Sequence, residues 1–197
     1  MSTIRPELMA GGRPNGVNEM PDKSCHGNRN STLQILKEID FELAYLALLT
    51  YEGLKPLSRW EKPLDQNSIE LLSRMDMVTK QIRRKVKTGL PPRLSSRDEA
   101  AGDEVIETIF SRSPAYIELY EQRFANTPVD KSAETQRIEG FLFGYPPCCV
   151  EQYIIKPYAP NNLTDSQQKI LFHWACNNCT ITPLLLPAYE KIYNQLL

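Results

Sequence analysis

Cys148-Cys149, followed by His173-Trp-Ala-Cys176-Asn-Asn-Cys179, brings four of the chain's five cysteines and one of its two histidines into the last quarter of the sequence. Thiolates and imidazoles are the ligands of zinc and related ions, and Cys-x-x-Cys is a spacing at which two thiolates share one ion. Metal binding is therefore the expected chemistry. A zinc ion takes four ligands and this stretch offers five, so one vicinal cysteine or His173 is expected to stand outside the set. The favoured set is a structural zinc site of three cysteines and one histidine: Cys148 or Cys149, with His173, Cys176 and Cys179. An iron-sulfur cluster on all four cysteines, leaving His173 outside, is the main alternative. A third reading is thiol-dependent redox or nucleophilic chemistry at the Cys148-Cys149 pair, with Glu151, Tyr145 and Tyr153 as neighbouring helpers. Cys176-x-x-Cys179 has the spacing of a thioredoxin-type pair, yet no βαβ pattern surrounds it. Against all three stands plain burial, since a free cysteine is often only a small core residue.

The elements that must position these residues are legible nearby. Gly144-Tyr-Pro-Pro-Cys-Cys149 reads as a helix stop, a rigid turn and a new helix whose first turn holds both thiols. At a helix start the free amides favour a thiolate. Adjacent residues on a regular helix point about 100° apart, so both sulfurs reach one ion only if that turn is distorted. Thr164-x-x-Gln167 is a capping box and predicts a helix running on to Cys176, with His173 and Cys176 on one face and Asn177-Asn178 turning Cys179 back. Thr182-Pro183 then restarts helix towards Leu196.

Upstream, apolar residues recur at three and four. Leu36, Ile39, Leu43 and Leu46 form one helical stripe with Gly53 as its stop, and Leu71, Met75, Val78, Ile82 and Val86 form a second. On the far side of the second stripe lie Lys80, Arg83, Arg84 and Lys87, extended by Arg93 and Arg97. Such a cationic helix face could meet phosphates, so nucleic acid or a phosphorylated ligand is the partner to consider; a solvated surface is the competing reading. Ser96-x-x-Glu99 predicts another helix start, leading to Val105, Ile109 and Phe110. Ser113-Pro114 opens a further helix, and the next spans 132–142. Residues 1–30 are rich in Gly, Pro, Asn and Ser, carry the isolated Cys25-His26, and read as a flexible arm.

The combination Glu139-Gly-Phe-Leu-Phe-Gly144-Tyr-Pro-Pro-Cys-Cys149-Val-x-x-Tyr153 with His173-x-x-Cys176-x-x-Cys179 resembles a microbial family called domain of unknown function 483. The similarity covers about residues 33–195, with Gly53-Leu-Lys-Pro56 and Ser113-Pro-Ala-Tyr116 compatible. It implies that Cys148, Cys149, His173, Cys176 and Cys179 belong to one shared site, and it leaves the arm outside. The family name implies no activity.

Composition sets the outer limits. With 41% hydrophobic and 24% charged residues over 197 positions, the chain can bury one substantial core, and its net charge of -1 gives no overall attraction to nucleic acid or acidic lipid. There is no apolar run long enough to span a bilayer and no secretory pattern at Met1-Ser-Thr-Ile, so a cytoplasmic protein with reduced thiols is expected. The expected architecture is a mainly α protein: a single orthogonal multi-helix domain over 31–197, with its Cys/His cluster in 144–183.

Overall fold

The computed structural model describes residues 24–85 and 104–197, with side chains from residue 29 onward. Helix α1 (Ser24–Ile39) begins inside the stretch read as an arm; the side chains of Cys25 and His26 lie outside the described residues. The first apolar stripe is cut in two at Asp40. Its carboxylate accepts from the amides of Glu42 and Leu43 and so starts α2 (Phe41–Tyr51), of which every residue from Leu43 to Thr50 is buried. Next come β1 (Ser58–Trp60), α3 (Gln66–Ser73, capped by Asp65), β2 (Val78–Lys85) and β3 (Glu104–Ser111). The chain then runs through α4 (Pro114–Phe124), α5 (Ala133–Leu142), α6 (Pro147–Ile155), α7 (Asp165–Lys169) and α8 (Thr182–Leu196).

The mainly α expectation is corrected by the sheet. Among the described residues about 53% are helical and 13% strand, with three antiparallel strands in the order β1-β3-β2. The second stripe is helical only as far as Ser73; Val78 and Ile82 sit on β2, paired with Ser111 and Glu107 of β3. Val105, Ile109 and Phe110 are likewise strand residues, and Ser96 and Glu99 lie outside the described residues. Strand β3 is central, and its two faces feed two cores. Phe110 joins a helical core built from α1, α2, α3 and α8, whereas Ile109 packs with Leu57, Ile82, Ile117, Tyr120 and Leu142. Burying each such side chain contributes about 1.5–3 kcal/mol.

The cationic helix face does not form, because β2 sends successive side chains to opposite sides. Arg84 is 2% exposed and donates to Glu139 at 3.0 Å, while Lys80 pairs with Glu121 at 2.6 Å. Arg83 is exposed, and Lys87, Arg93 and Arg97 lie outside the described residues. Among the described residues the phosphate-binding reading therefore loses the shared face it rested on. Arg84 instead belongs to a buried network: Glu139 also accepts from Arg59 at 2.8 Å, and Tyr120 donates to Glu107 at 2.5 Å.

Helix α5 ends as the sequence predicts, at a left-handed Gly144 (φ +72). A Cβ there would lie 2.8 Å from the Leu54 carbonyl oxygen and 2.8 Å from Pro56 Cδ. Two segments thus meet at a contact only glycine permits. Gly144→Ala is expected to cost about 1–2 kcal/mol from backbone conformation alone, with the clash in addition, as read by urea denaturation. Unchanged stability would contradict this account of the turn.

Candidate metal centre

Pro146 and Pro147 lead into α6, and Pro147 at its first turn loses no hydrogen bond there. The helix starts with exposed Cys148 and buried Cys149 side by side. Opposite them, α7 is opened by the predicted Thr164–Gln167 capping box but ends at Lys169. Residues 170–181 are irregular, so His173 and Cys176 do not share a helix face. Asn177-Asn178 does form the turn, with Asn178 at φ 60, and the Cys179 amide donates to the Cys176 carbonyl. Thr182 then starts α8.

These elements bring the sulfurs of Cys148, Cys149, Cys176 and Cys179 within 4.8 Å of one another. Cys179 Sγ lies 3.4 Å from Cys149 Sγ and 3.6 Å from Cys148 Sγ. Both vicinal thiols reach the cluster, and four closely spaced cysteines could hold a metal ion. The fifth residue expected there does not join them: His173 is buried, and its Nε2 lies 3.0 Å from the Thr182 hydroxyl. Of the residues expected to form one site, the four cysteines stand together and the histidine stands beside them. The reason is local: once α7 stops at Lys169, helical spacing no longer aims the imidazole at Cys176.

Thr182 is the residue that sequence reasoning missed. Its hydroxyl lies 3.2 Å from Cys179 Sγ and 3.5 Å from Cys149 Sγ, and its amide donates to Cys179 Sγ at 3.2 Å. A hydroxyl three residues after Cys-x-x-Cys, at a helix start, is the signal that could have found it. The Cys176 amide donates to Cys149 Sγ at 3.3 Å. Burial acts to raise the Cys179 thiol, but hydrogen bonds from the Thr182 hydroxyl and amide and from Cys149 outweigh it and bring it down to about 6. Burial, against the opposing Cys176 amide, pushes Cys149 up to about 11, and burial together with the neighbouring sulfurs raises Cys176. Four thiolates this close repel one another, so full ionisation calls for a cation among them.

Burial, and then the charge of Lys55, lowers the His173 imidazole to about 4, and its buried Nδ1 has no hydrogen-bond partner among the described residues. The unfolded chain, with an ordinary imidazole, binds the extra proton between about pH 4 and 6.5. Stability should therefore rise with pH across that window, by on the order of 3 kcal/mol from this group. Urea unfolding at both ends of the window should show a smaller rise in His173→Gln than in the wild type; equal rises would remove His173 as the source.

Beside the cluster opens a cavity of about 740 Å³, lined by Cys149, His173, Trp174, Tyr153, Arg59 and Glu139 among others. Tyr158 stands at its rim, 66% exposed and at φ 57, edge-on to both Tyr153 and Trp174. A bulky residue rarely takes that conformation outside a constrained site. Comparisons with protein-family models, with curated proteins and with solved structures found no match. Among the described residues no helix is long and apolar enough to cross a membrane.

Proposed function

We propose that this is a zinc protein in which Cys148, Cys149, Cys176 and Cys179 hold one tetrahedral ion that fastens α6 to the irregular 170–181 segment and the start of α8. The observation that carries this reading is the mutual approach of four sulfurs within 4.8 Å. A zinc-sulfur bond of about 2.3 Å sets a tetrahedral edge of about 3.8 Å, close to the 3.4 and 3.6 Å separations of two of the pairs. An iron-sulfur cluster puts several irons and sulfides between its thiolates and holds them farther apart, so the spacing favours a mononuclear ion. The ion supports the fold in this reading. It steadies the cavity wall carrying Cys149, His173 and Trp174, and the protein acts by binding a ligand there. A reducing compartment such as the cytoplasm keeps such thiols available.

The test is elemental analysis of protein purified anaerobically, with Cys→Ser variants beside it. One equivalent of zinc, colourless and lost in Cys176→Ser, is expected. A coloured preparation containing iron would transfer the site to iron. Metal-free, fully folded protein with a disulfide among these cysteines would overturn the reading in favour of thiol redox chemistry.

A further inference from the structure

Lys55 lies in a segment that Gly144 holds close, and it is 2% exposed. Its Nζ donates to the Phe143 carbonyl oxygen at 3.2 Å. Three rings surround it, with centroids at 4.7 Å (Tyr145), 5.1 Å (Phe172) and 5.3 Å (Phe143). Aromatic faces attract a cation, yet one carbonyl is a poor exchange for the water an ammonium gives up. A neutral amine, with two hydrogens and a lone pair, suits this box better. Burial, and then the nearby charge of Arg59, lowers the Lys55 amine to about 7, so a large fraction is unprotonated at neutral pH.

Lys55 also borders a space. A cavity of about 440 Å³ is lined by Lys55, Arg59, Trp60, Lys62 and Glu42 among others, a size that accepts a small molecule. Asp40 and Glu61, also on its wall, are engaged in capping α2 and in pairing with Arg59. Arg59 is already paired with Glu61 and Glu139, so the charge that Lys62 brings to this wall is the one offered to a ligand carrying both a carbonyl and a carboxylate.

We propose that Lys55 is a nucleophile that forms an imine with a small 2-oxo acid held in this cavity. The Nζ lone pair attacks the carbonyl carbon and a carbon-nitrogen bond forms. Both amine hydrogens and the carbonyl oxygen then leave as water, so amine plus ketone gives imine plus water with no change of oxidation state. Glu42 lines the same cavity, and its carboxyl is raised by burial and then by Asp40 and Glu61, which suits it to protonate the departing oxygen. This assignment does not depend on the metal.

The experiment treats the purified full chain with pyruvate and sodium borohydride, then maps reduced adducts by peptide mass spectrometry. The adduct is expected on Lys55 ahead of exposed lysines such as Lys156 and Lys191. With acetone, which lacks the carboxylate, labelling of Lys55 should fall about tenfold, the loss expected for one charge-assisted contact. Lys55→Met keeps the apolar stem in the box without an amine and should abolish that adduct. Labelling of surface lysines without Lys55, no adduct at any lysine, or equal labelling by acetone and pyruvate would each overturn the proposal. The wild-type map decides even if the variant fails to fold.

Discussion

With zinc held as proposed, Cys179→Ser is expected to release the ion and lower the melting temperature by roughly 8–16 °C, the shift that about 4 kcal/mol produces in a chain of this size. A structural zinc ion binds with about 10–16 kcal/mol of apparent free energy, and the part that reaches the fold is what chelation removes. Cys179 is the cysteine to choose. Its sulfur lies within 3.6 Å of both vicinal thiols and takes the Thr182 amide, so serine would break the bridge between α6 and α8 at its centre. Calorimetry of the wild type with and without chelator should reproduce the shift, and the variant should no longer respond to chelator. If chelator and mutation both leave the transition in place, zinc does not hold these elements together.

Glu139→Ala should destabilise the protein by about 3–5 kcal/mol, because it leaves Arg84 charged, buried and without its nearest carboxylate. Glu139 accepts from Arg84 at 3.0 Å and from Arg59 at 2.8 Å, whereas Glu107 stands 3.8 Å from each guanidinium. Burial raises the Glu107 carboxyl despite the opposing pull of both arginines, so it is a weaker substitute. Combining Glu139→Ala with Arg84→Met should recover much of the loss, since the charge that lost its partner is then gone. Denaturant unfolding of the single and double variants measures both effects. A double variant as unstable as the single one would place the cost elsewhere.

Much of the helical part of this fold was open to reading, and the sheet was not. The starts at Ser113-Pro114, Ser132, Thr164 and Thr182 carry local side-chain or proline signals, and the structure has a helix at each. Strand β2 escaped because Val78, Ile82 and Val86 are four apart, and four is both about one helical turn and two strand periods. The residue that would have completed the alternation is Arg84, a buried charge whose carboxylate partner comes from α5, 55 positions away. Strand β3 is buried on both faces from Glu107 to Ser111, so it shows no alternation. At the site the turn into Cys148-Cys149 and the Asn177-Asn178 turn were readable. That both vicinal sulfurs converge, and that His173 does not, depended on where α7 ends and how the irregular segment crosses the start of α6.

The Thr182 hydroxyl touches two sulfurs and an imidazole with a single hydrogen to offer. While the sulfurs keep their protons, Cys179 can donate to the hydroxyl, which is then free to turn its hydrogen towards Nε2. Once the sulfurs are anions, that hydrogen must point at one of them, and the oxygen accepts from a protonated Nε2. The ring of His173 is then fixed as one tautomer with a bare Nδ1. With only His26 as company in the chain, its nitrogen resonances would report whether the sulfurs around Thr182 are thiols or thiolates.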